Sequence, residues 1–178
     1  MTTQKPEDAE DRRDLERCRD GEGAGLEQLY RRYSPKVYGL ALRMLRRPDA
    51  ADDVVQETFL GVRRGAEGFR GGAKVGTWIY SIALNACRMR LRSERRRTRP
   101  LDEAATVAAR ETPEPDGALL AALEALEPEA REIVLLSAQG RSYDEIAELA
   151  GLSADQVRGR LYRARKALLE HMRERGHG

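Results

Sequence analysis

From Leu26 to Leu45, apolar residues recur at Leu26, Leu29, Tyr30, Tyr33, Val37, Tyr38, Ala41, Leu42 and Leu45. That spacing of three or four places them on one face of an α-helix about five turns long. Pro35 lies inside the pattern and predicts a kink or break near Ser34, because proline lacks an amide donor and crowds the preceding turn. Pro48-Asp49 predicts a stop and restart, after which Val54, Val55, Phe59 and Val62 mark a second amphipathic helix. A glycine-rich loop runs from Gly65 to Gly76. Thr77 then reads as the N-cap of a third helix, with Trp78, Ile79, Ile82, Ala83, Ala86 and Met89 on its apolar side.

The pattern lapses between Thr98 and Gly117, where Pro100, Pro113 and Pro115 accompany several acids. This stretch reads as a flexible linker, with one helical turn expected near Glu103–Ala109. Leu119, Leu120, Leu123, Leu126, Ile133, Val134, Leu135 and Leu136 restart a helical core, and the chain is expected to close on two short helices. There is no repeat at solenoid spacing and no strand alternation. The expected fold is all-α, with two small helical domains joined by a flexible linker. The expected boundaries are a tail and start of the first helix over 1–22, a first domain over 23–97, a linker over 98–117 and a second domain over 118–174.

The sharpest local signal is SYDEIAELAGLSADQV, Ser142 to Val157. Ser142 with Glu145, and Ser153 with Gln156, are capping-box pairs, and Gly151 suits the left-handed residue that closes a helix. Ile146, Ala147 and Ala150 would form the inner face of the first helix; Val157, Leu161, Ala164 and Leu168 that of the second. This is a helix-turn-helix pattern, whose second helix enters a DNA major groove. Its outer face offers Arg158, Tyr162, Arg163 and Lys166, flanked by Arg160 and Arg165. Arginine can grip a guanine edge bidentately, and any of these cations can hold a phosphate. The bland counterpart is an αα-hairpin with a solvated basic helix. Five cations without an acid between Arg158 and Lys166 favour DNA.

Charge supports that reading only when divided. The net charge is +2, which by itself argues against a nucleic-acid binder. By segment it is −3 over 1–25, +4 over 26–87, +6 over 88–99, −10 over 100–155 and +5 over 156–178. Two dense cationic stretches separated by an acidic one suggest two anion-binding surfaces. In the first, Arg88, Arg92, Arg95 and Arg99 share a helix side. The aromatic-bearing element before it, Phe69 through Tyr80, can meet unstacked bases, although core packing accounts for the larger part of Trp78. Asp52, Asp53, Gln56 and Glu57 form a polar stripe. A helix dipole explains the acids of its first turn, and a protein-docking face explains Gln56 and Glu57 better.

Other classes fall away. No apolar run approaches the ~20 residues of a membrane span, and the N-terminus lacks an apolar signal core. Cys18 and Cys87 are too few for a disulfide framework and have no metal-ligand spacing, and His171 and His177 lie in a polar tail. No phosphate-cradling loop or facing pair of carboxylates is evident, so the chain is not expected to be an enzyme or to need a cofactor. A reduced, cytoplasmic setting is expected.

In this order, the motifs resemble the extracytoplasmic-function (ECF) sigma factors, small two-domain members of the sigma-70 family of bacterial RNA polymerase subunits. LEQLYRRYSPKVYGLALRML with AADDVVQETFLGV is similar to regions 2.1–2.2, FRGGAKVGTWIYSIALNACRMRLR to regions 2.3–2.4, and LEALEPEAREIVLLSAQGRSYDEIAELAGLSADQVRGRLYRARKALLE to region 4. The resemblance implies that Asp52, Asp53, Gln56 and Glu57 dock on the β′ clamp of core RNA polymerase, which the protein would engage through its β′ and β subunits. It implies that Phe69, Lys74, Trp78, Asn85, Arg88, Met89 and Arg92 serve the minus-10 element. Arg158, Gly159, Arg160, Tyr162, Arg163 and Lys166 would serve the minus-35 element. An anti-sigma factor is the further partner it implies, with no membrane insertion. Gly159 stands where a serine is common in the family, and Met89 where a more polar residue is usual. A 20-residue linker spans at most ~66 Å extended, or ~25 Å as coil, enough to let both domains engage one promoter. The rival readings are a stand-alone helix-turn-helix regulator and a helical adaptor with incidental basic faces.

Overall fold

Eight helices make up the described residues, 6–97 and 117–175, of the computed structural model, and no strand is found among them. They divide into two units, α1–α4 and α5–α8.

In the first unit, α2 (Gly23–Leu45) is the central element, packed against α1 (Pro6–Arg19), α3 (Pro48–Gly65) and α4 (Val75–Arg97). Its inner stripe, Leu29, Tyr33, Val37, Leu40, Ala41, Met44 and Leu45, is buried. Val54, Val55, Phe59 and Val62 from α3 close over it, with Val75, Ile79, Tyr80, Ala83, Leu84 and Cys87 from α4. Removing this apolar surface from water is the main force joining the helices. Thr58, also buried, donates its hydroxyl to the Val54 carbonyl at 2.7 Å, which satisfies that hydroxyl inside the core.

Several sequence expectations are corrected. Within the stretch expected to be a tail and the start of the first helix, residues 6–19 form a separate helix, α1, docked on α2. The sequence hides it because Leu15 is its one buried apolar residue. Ion pairs do the docking: Arg32 bridges Asp11 and, at 3.0 Å, Asp14, while Tyr33 donates its hydroxyl to Asp11. Burial pushes the Asp11 carboxyl above its usual range, against the pull of Tyr33 and Arg32. α2 continues through Pro35, whose neighbourhood was expected to kink or break. The stop at Arg46-Arg47 is as expected: Arg46 takes φ 60°, its amide donates to Leu42, and Pro48 starts α3 at a position that needs no donor. Thr77 is not the cap of α4, which begins at Val75 and closes its first turn with a Trp78-to-Lys74 hydrogen bond. Met89 leaves the apolar side of α4 and is 61% exposed, because it shares the outward side of the helix with exposed Asn85 and Arg92 while Ala86 and Cys87 turn inward. The turn expected near Glu103–Ala109 lies outside the described residues.

In the second unit, α8 (Ala154–Arg175) packs against α5 (Gly117–Ala125), α6 (Pro128–Ala138) and α7 (Tyr143–Ala150). Arg131 of α6 reaches back to the carbonyls of Leu123, Glu124 and Leu126, satisfying the acceptors left at the end of α5. Of the two closing helices, α7 is short at 8 residues, whereas α8, expected to be short, spans 22. On the inner face of α7, Ile146 and Ala147 are joined by buried Leu149, whereas Ala150 is only half-buried.

Candidate nucleic-acid interface

Both capping boxes of the helix-turn-helix form. Ser142 Oγ accepts from the Glu145 amide at 3.2 Å, and the Ser142 amide donates to Glu145 Oε2 at 2.9 Å. Ser153 and Gln156 repeat the exchange at 3.2 and 2.8 Å. Gly151 takes φ +67° and ends α7, an arrangement that a side chain would strain. Val157, Leu161, Ala164 and Leu168 turn inward together. That fixes the rotation of α8 and leaves Tyr162 72% exposed, with Arg158, Arg163 and Lys166 also exposed and Arg160 half-buried. Gly159 lies on this outer side, where an added Cβ would come no nearer than 3.6 Å to Arg163 Nη1. Arg165 donates to Ser137 Oγ at 3.0 Å, tying α8 to α6. Arg158 lies 3.3 Å from Asp155, and Lys166 3.8 Å from Glu170.

In the first unit, a stripe runs along α4. It starts where Phe69 of the preceding loop leans on Trp78, ring centroids 5.0 Å apart and planes 41° apart. Both rings are half-buried, so the packing role and an exposed edge coexist in Trp78. Lys74 is exposed at the end of the loop. From Trp78 the stripe passes Ile82, exposed Asn85, exposed Met89 and exposed Arg92 to Arg96, each three or four residues from the last. Half-buried Arg88 flanks it. Arg92 and Arg96 each donate to the carbonyl one turn earlier, at 3.3 Å, which lays their guanidinium groups back along the helix. Of the arginines grouped with them in the sequence, Arg99 lies outside the described residues.

Asp52, Asp53 and Gln56 are exposed on α3, and Glu57 is partly covered. Two features here escaped the sequence. Arg90 of α4 approaches Glu57 at 2.6 Å, an encounter across 33 positions that no local pattern announces. Leu60, 55% exposed, extends the polar stripe one turn beyond Gln56, and Tyr30, 47% exposed, packs against Phe59 with ring centroids 4.8 Å and planes 59° apart. Leu60 falls just off the apolar period of α3, and that was its available signal. Asp49 opens α3, its carboxyl held below the usual range by a hydrogen bond from Arg47 and by the Ala50 amide. Among the described residues no cluster of His, Cys, Asp and Glu could hold a metal, and no helix is long and apolar enough to cross a membrane.

The comparisons with known proteins follow the same division. Residues 29–97 match the family model for sigma-70 region 2, and residues 116–168 the model for sigma-70, region 4. The chain is 36% identical over 167 residues to the RNA polymerase sigma factor CarQ of Myxococcus xanthus, covering 90% of this chain and 96% of CarQ. The chain belongs to the ECF sigma factors of the sigma-70 family.

It is also similar to the ECF RNA polymerase sigma factor SigM of Mycobacterium tuberculosis, 35% identical over 152 residues, covering 83% of this chain and 77% of SigM. Among solved structures it resembles CnrH in complex with the cytosolic domain of CnrY. The TM-score is 0.70 at 26% identity, over 90% of this chain and 96% of that one. As an ECF sigma factor, the protein binds core RNA polymerase and directs promoter-specific initiation of transcription. Its α7–α8 pair belongs to region 4, and α3 and α4 to region 2.

Proposed function

We propose that this sigma factor divides its work among three helices. The exposed stripe of α3, Asp52, Asp53, Gln56 and Glu57 with Leu60 beside them, docks on the β′ clamp. The α4 stripe and the loop before it, Phe69, Lys74, Trp78, Asn85, Arg88, Met89 and Arg92, take the opened minus-10 element. The outer side of α8, Arg158, Gly159, Arg160, Tyr162, Arg163 and Lys166, reads the minus-35 element as duplex.

The observation that carries this reading is the order along α4: aromatic edge, amide, thioether, then arginines. Aromatic rings accept the π face of an unstacked base, Asn85 can bond a base edge, and the arginines follow the phosphates. Such a sequence of chemistries suits a strand leaving a duplex better than a duplex groove. The exposed Met89 gives one position of that track an apolar surface, consistent with a contact through a base face or thymine methyl.

The protein acts in the cytoplasm as a non-catalytic subunit, since its exposed chemistry is for binding. A second protein that covers these faces, an anti-sigma factor, fits them; CnrH is seen with the cytosolic domain of CnrY. The deciding experiment adds the purified chain to core RNA polymerase on a library of random promoters. Selection of paired minus-35 and minus-10 sequences is expected, with poor duplex binding by the chain alone. Tight, sequence-specific duplex binding without polymerase would overturn the assignment of roles in favour of a stand-alone regulator.

A further inference from the structure

The loop between α3 and α4 is hydrogen-bonded at its start, and approached at its middle, by α1, the helix that the apolar pattern hides. At its start, Arg19 donates through Nη2 to the Phe69 carbonyl at 3.0 Å and to the Ala66 carbonyl at 3.3 Å, with Nε 3.4 Å from the same Ala66 oxygen. At its middle, Arg12 lies over Gly71, where an added Cβ would come 3.4 Å from Arg12 Nη1. Beyond its end, the Tyr33 ring presses on Gly76 so closely that a Cβ there would sit 2.5 Å from the phenol oxygen, and that phenol is bonded to Asp11.

The loop's own turn hydrogen bonds are Gly68 to Gly65 at 3.1 Å and Phe69 to Ala66 at 3.3 Å, both near its start. The Arg19 fork therefore brings donors from 47 and 50 positions away to the part that carries Phe69: a further partner for the Ala66 carbonyl, which also accepts from the Phe69 amide, and one for the Phe69 carbonyl. A guanidinium suits this task because its planar donors can bridge two carbonyl groups without reorganisation.

We propose that Arg19 is a positioning residue for minus-10 recognition: its fork on the Ala66 and Phe69 carbonyls fixes the Phe69 ring against Trp78 before DNA arrives. An unstacked base then meets an ordered loop, and the ordering cost is not charged to promoter opening. This rests on the reading of the loop as a minus-10 contact. Arg19 itself acts on the loop and not on DNA.

The test uses full-length protein in holoenzyme with a promoter library randomised across the minus-10 element, comparing wild type, Arg19→Ala and Phe69→Ala. Arg19→Ala is expected to reduce opening, read as permanganate reactivity of minus-10 thymines, by about three- to tenfold, the scale of one or two lost hydrogen bonds. It should flatten base preference at the same position that Phe69→Ala flattens. Affinity for core polymerase and the salt slope of promoter binding should stay at wild-type values. A salt slope lowered by about one would instead mark a direct phosphate contact and overturn the proposal. Unaltered preference in Arg19→Ala, with altered preference in Phe69→Ala, removes the positioning role and leaves the loop reading standing. Unaltered preference in Phe69→Ala removes both. Should Arg19→Ala loosen α1, seen by circular dichroism, Arg19→Met keeps the aliphatic stem and is judged by the same readouts.

Discussion

Arg90 on α4 places Nη1 2.6 Å from Glu57 Oε2 on α3, and its other nitrogen lies 3.9 Å from Asp53 Oδ2. Two acids proposed for polymerase docking thus share a cation that stands beside Met89 on the proposed DNA helix. The arrangement draws the two faces together at one point. Arg90 is 27% exposed and Glu57 43%, so solvent screens the pair. A double-mutant cycle of Arg90→Ala and Glu57→Gln, read by urea unfolding, should give a coupling of about 0.5 kcal/mol and not above about 1. Glu57→Gln should nonetheless weaken binding to core polymerase more than Arg90→Ala does.

The reciprocal caps of the helix-turn-helix open the two helices of the proposed minus-35 face. Ser142→Ala or Ser153→Ala should each lower the stability of the α5–α8 unit by about 1 kcal/mol. Denaturant melts of that transition should show a lower midpoint at unchanged slope. An unchanged midpoint would mean that the caps are dispensable.

Two glycines should answer alanine with opposite signs. A Cβ at Gly25 would lie 2.2 Å from the Asp14 carbonyl oxygen and 2.6 Å from the Cys18 amide, both backbone atoms of α1. Gly25→Ala should therefore cost about 1–3 kcal/mol by forcing α1 from α2. At Gly159 an added Cβ would come no nearer than 3.6 Å to the flexible tip of Arg163, so Gly159→Ala should raise α8 stability by about 0.5–1 kcal/mol. Thermal melts of the two variants decide both signs.

Arg163 and Arg158 should differ as readers of DNA. Arg163→Ala should lose about 1–3 kcal/mol at one minus-35 base pair and relax preference there. Arg158, already beside Asp155, is expected to act on phosphate, so Arg158→Ala should weaken all sequences alike and lower the salt slope by about one. Competition binding of holoenzyme to single-base promoter variants distinguishes the two.

Burial raises the Asp11 carboxyl, so the folded state favours its protonated form more than the unfolded chain does. Its contribution to stability is complete below the ordinary carboxylate range and is lost as pH rises through the raised folded value. The stability of wild type relative to Asp11→Asn should accordingly be greatest in acid and decline towards neutral pH. Parallel urea titrations of the two proteins across that interval give the difference directly; a difference independent of pH would contradict the burial effect.

Helices whose packing is apolar were legible from spacing alone. Leu29, Tyr33, Val37, Ala41 and Leu45, then Val54, Val55, Phe59 and Val62, then Val157, Leu161, Ala164 and Leu168 turn inward, while Tyr30, on the same predicted face, is 47% exposed. The capping serines stand where their sequence signature placed them. α1 was not legible, because Asp8, Asp11 and Asp14 are buried and an acidic stretch ordinarily reads as solvated. Met89 misled for the opposite reason: it is apolar and keeps a helical spacing, but from the outward side of α4 that also carries Asn85 and Arg92. Arg90 needed the fold, since nothing local to it marks Glu57 as its partner. The assignment of α3, α4 and α8 residues to docking and promoter contacts came from chemistry and resemblance together; their exposure gives those chemistries a surface on which to act.

Gly61 and Gly65 stand one turn apart on α3, and an added Cβ at either would come within 2.9 Å of α4, at Ile82 and Trp78 respectively. Each missing side chain makes a notch that receives a bulky one. Notches at successive turns resist both sliding and rolling, as teeth do in a rack. The helix proposed to face polymerase and the helix proposed to face the promoter are therefore keyed to each other, so a rotation of α3 is expected to carry α4 with it.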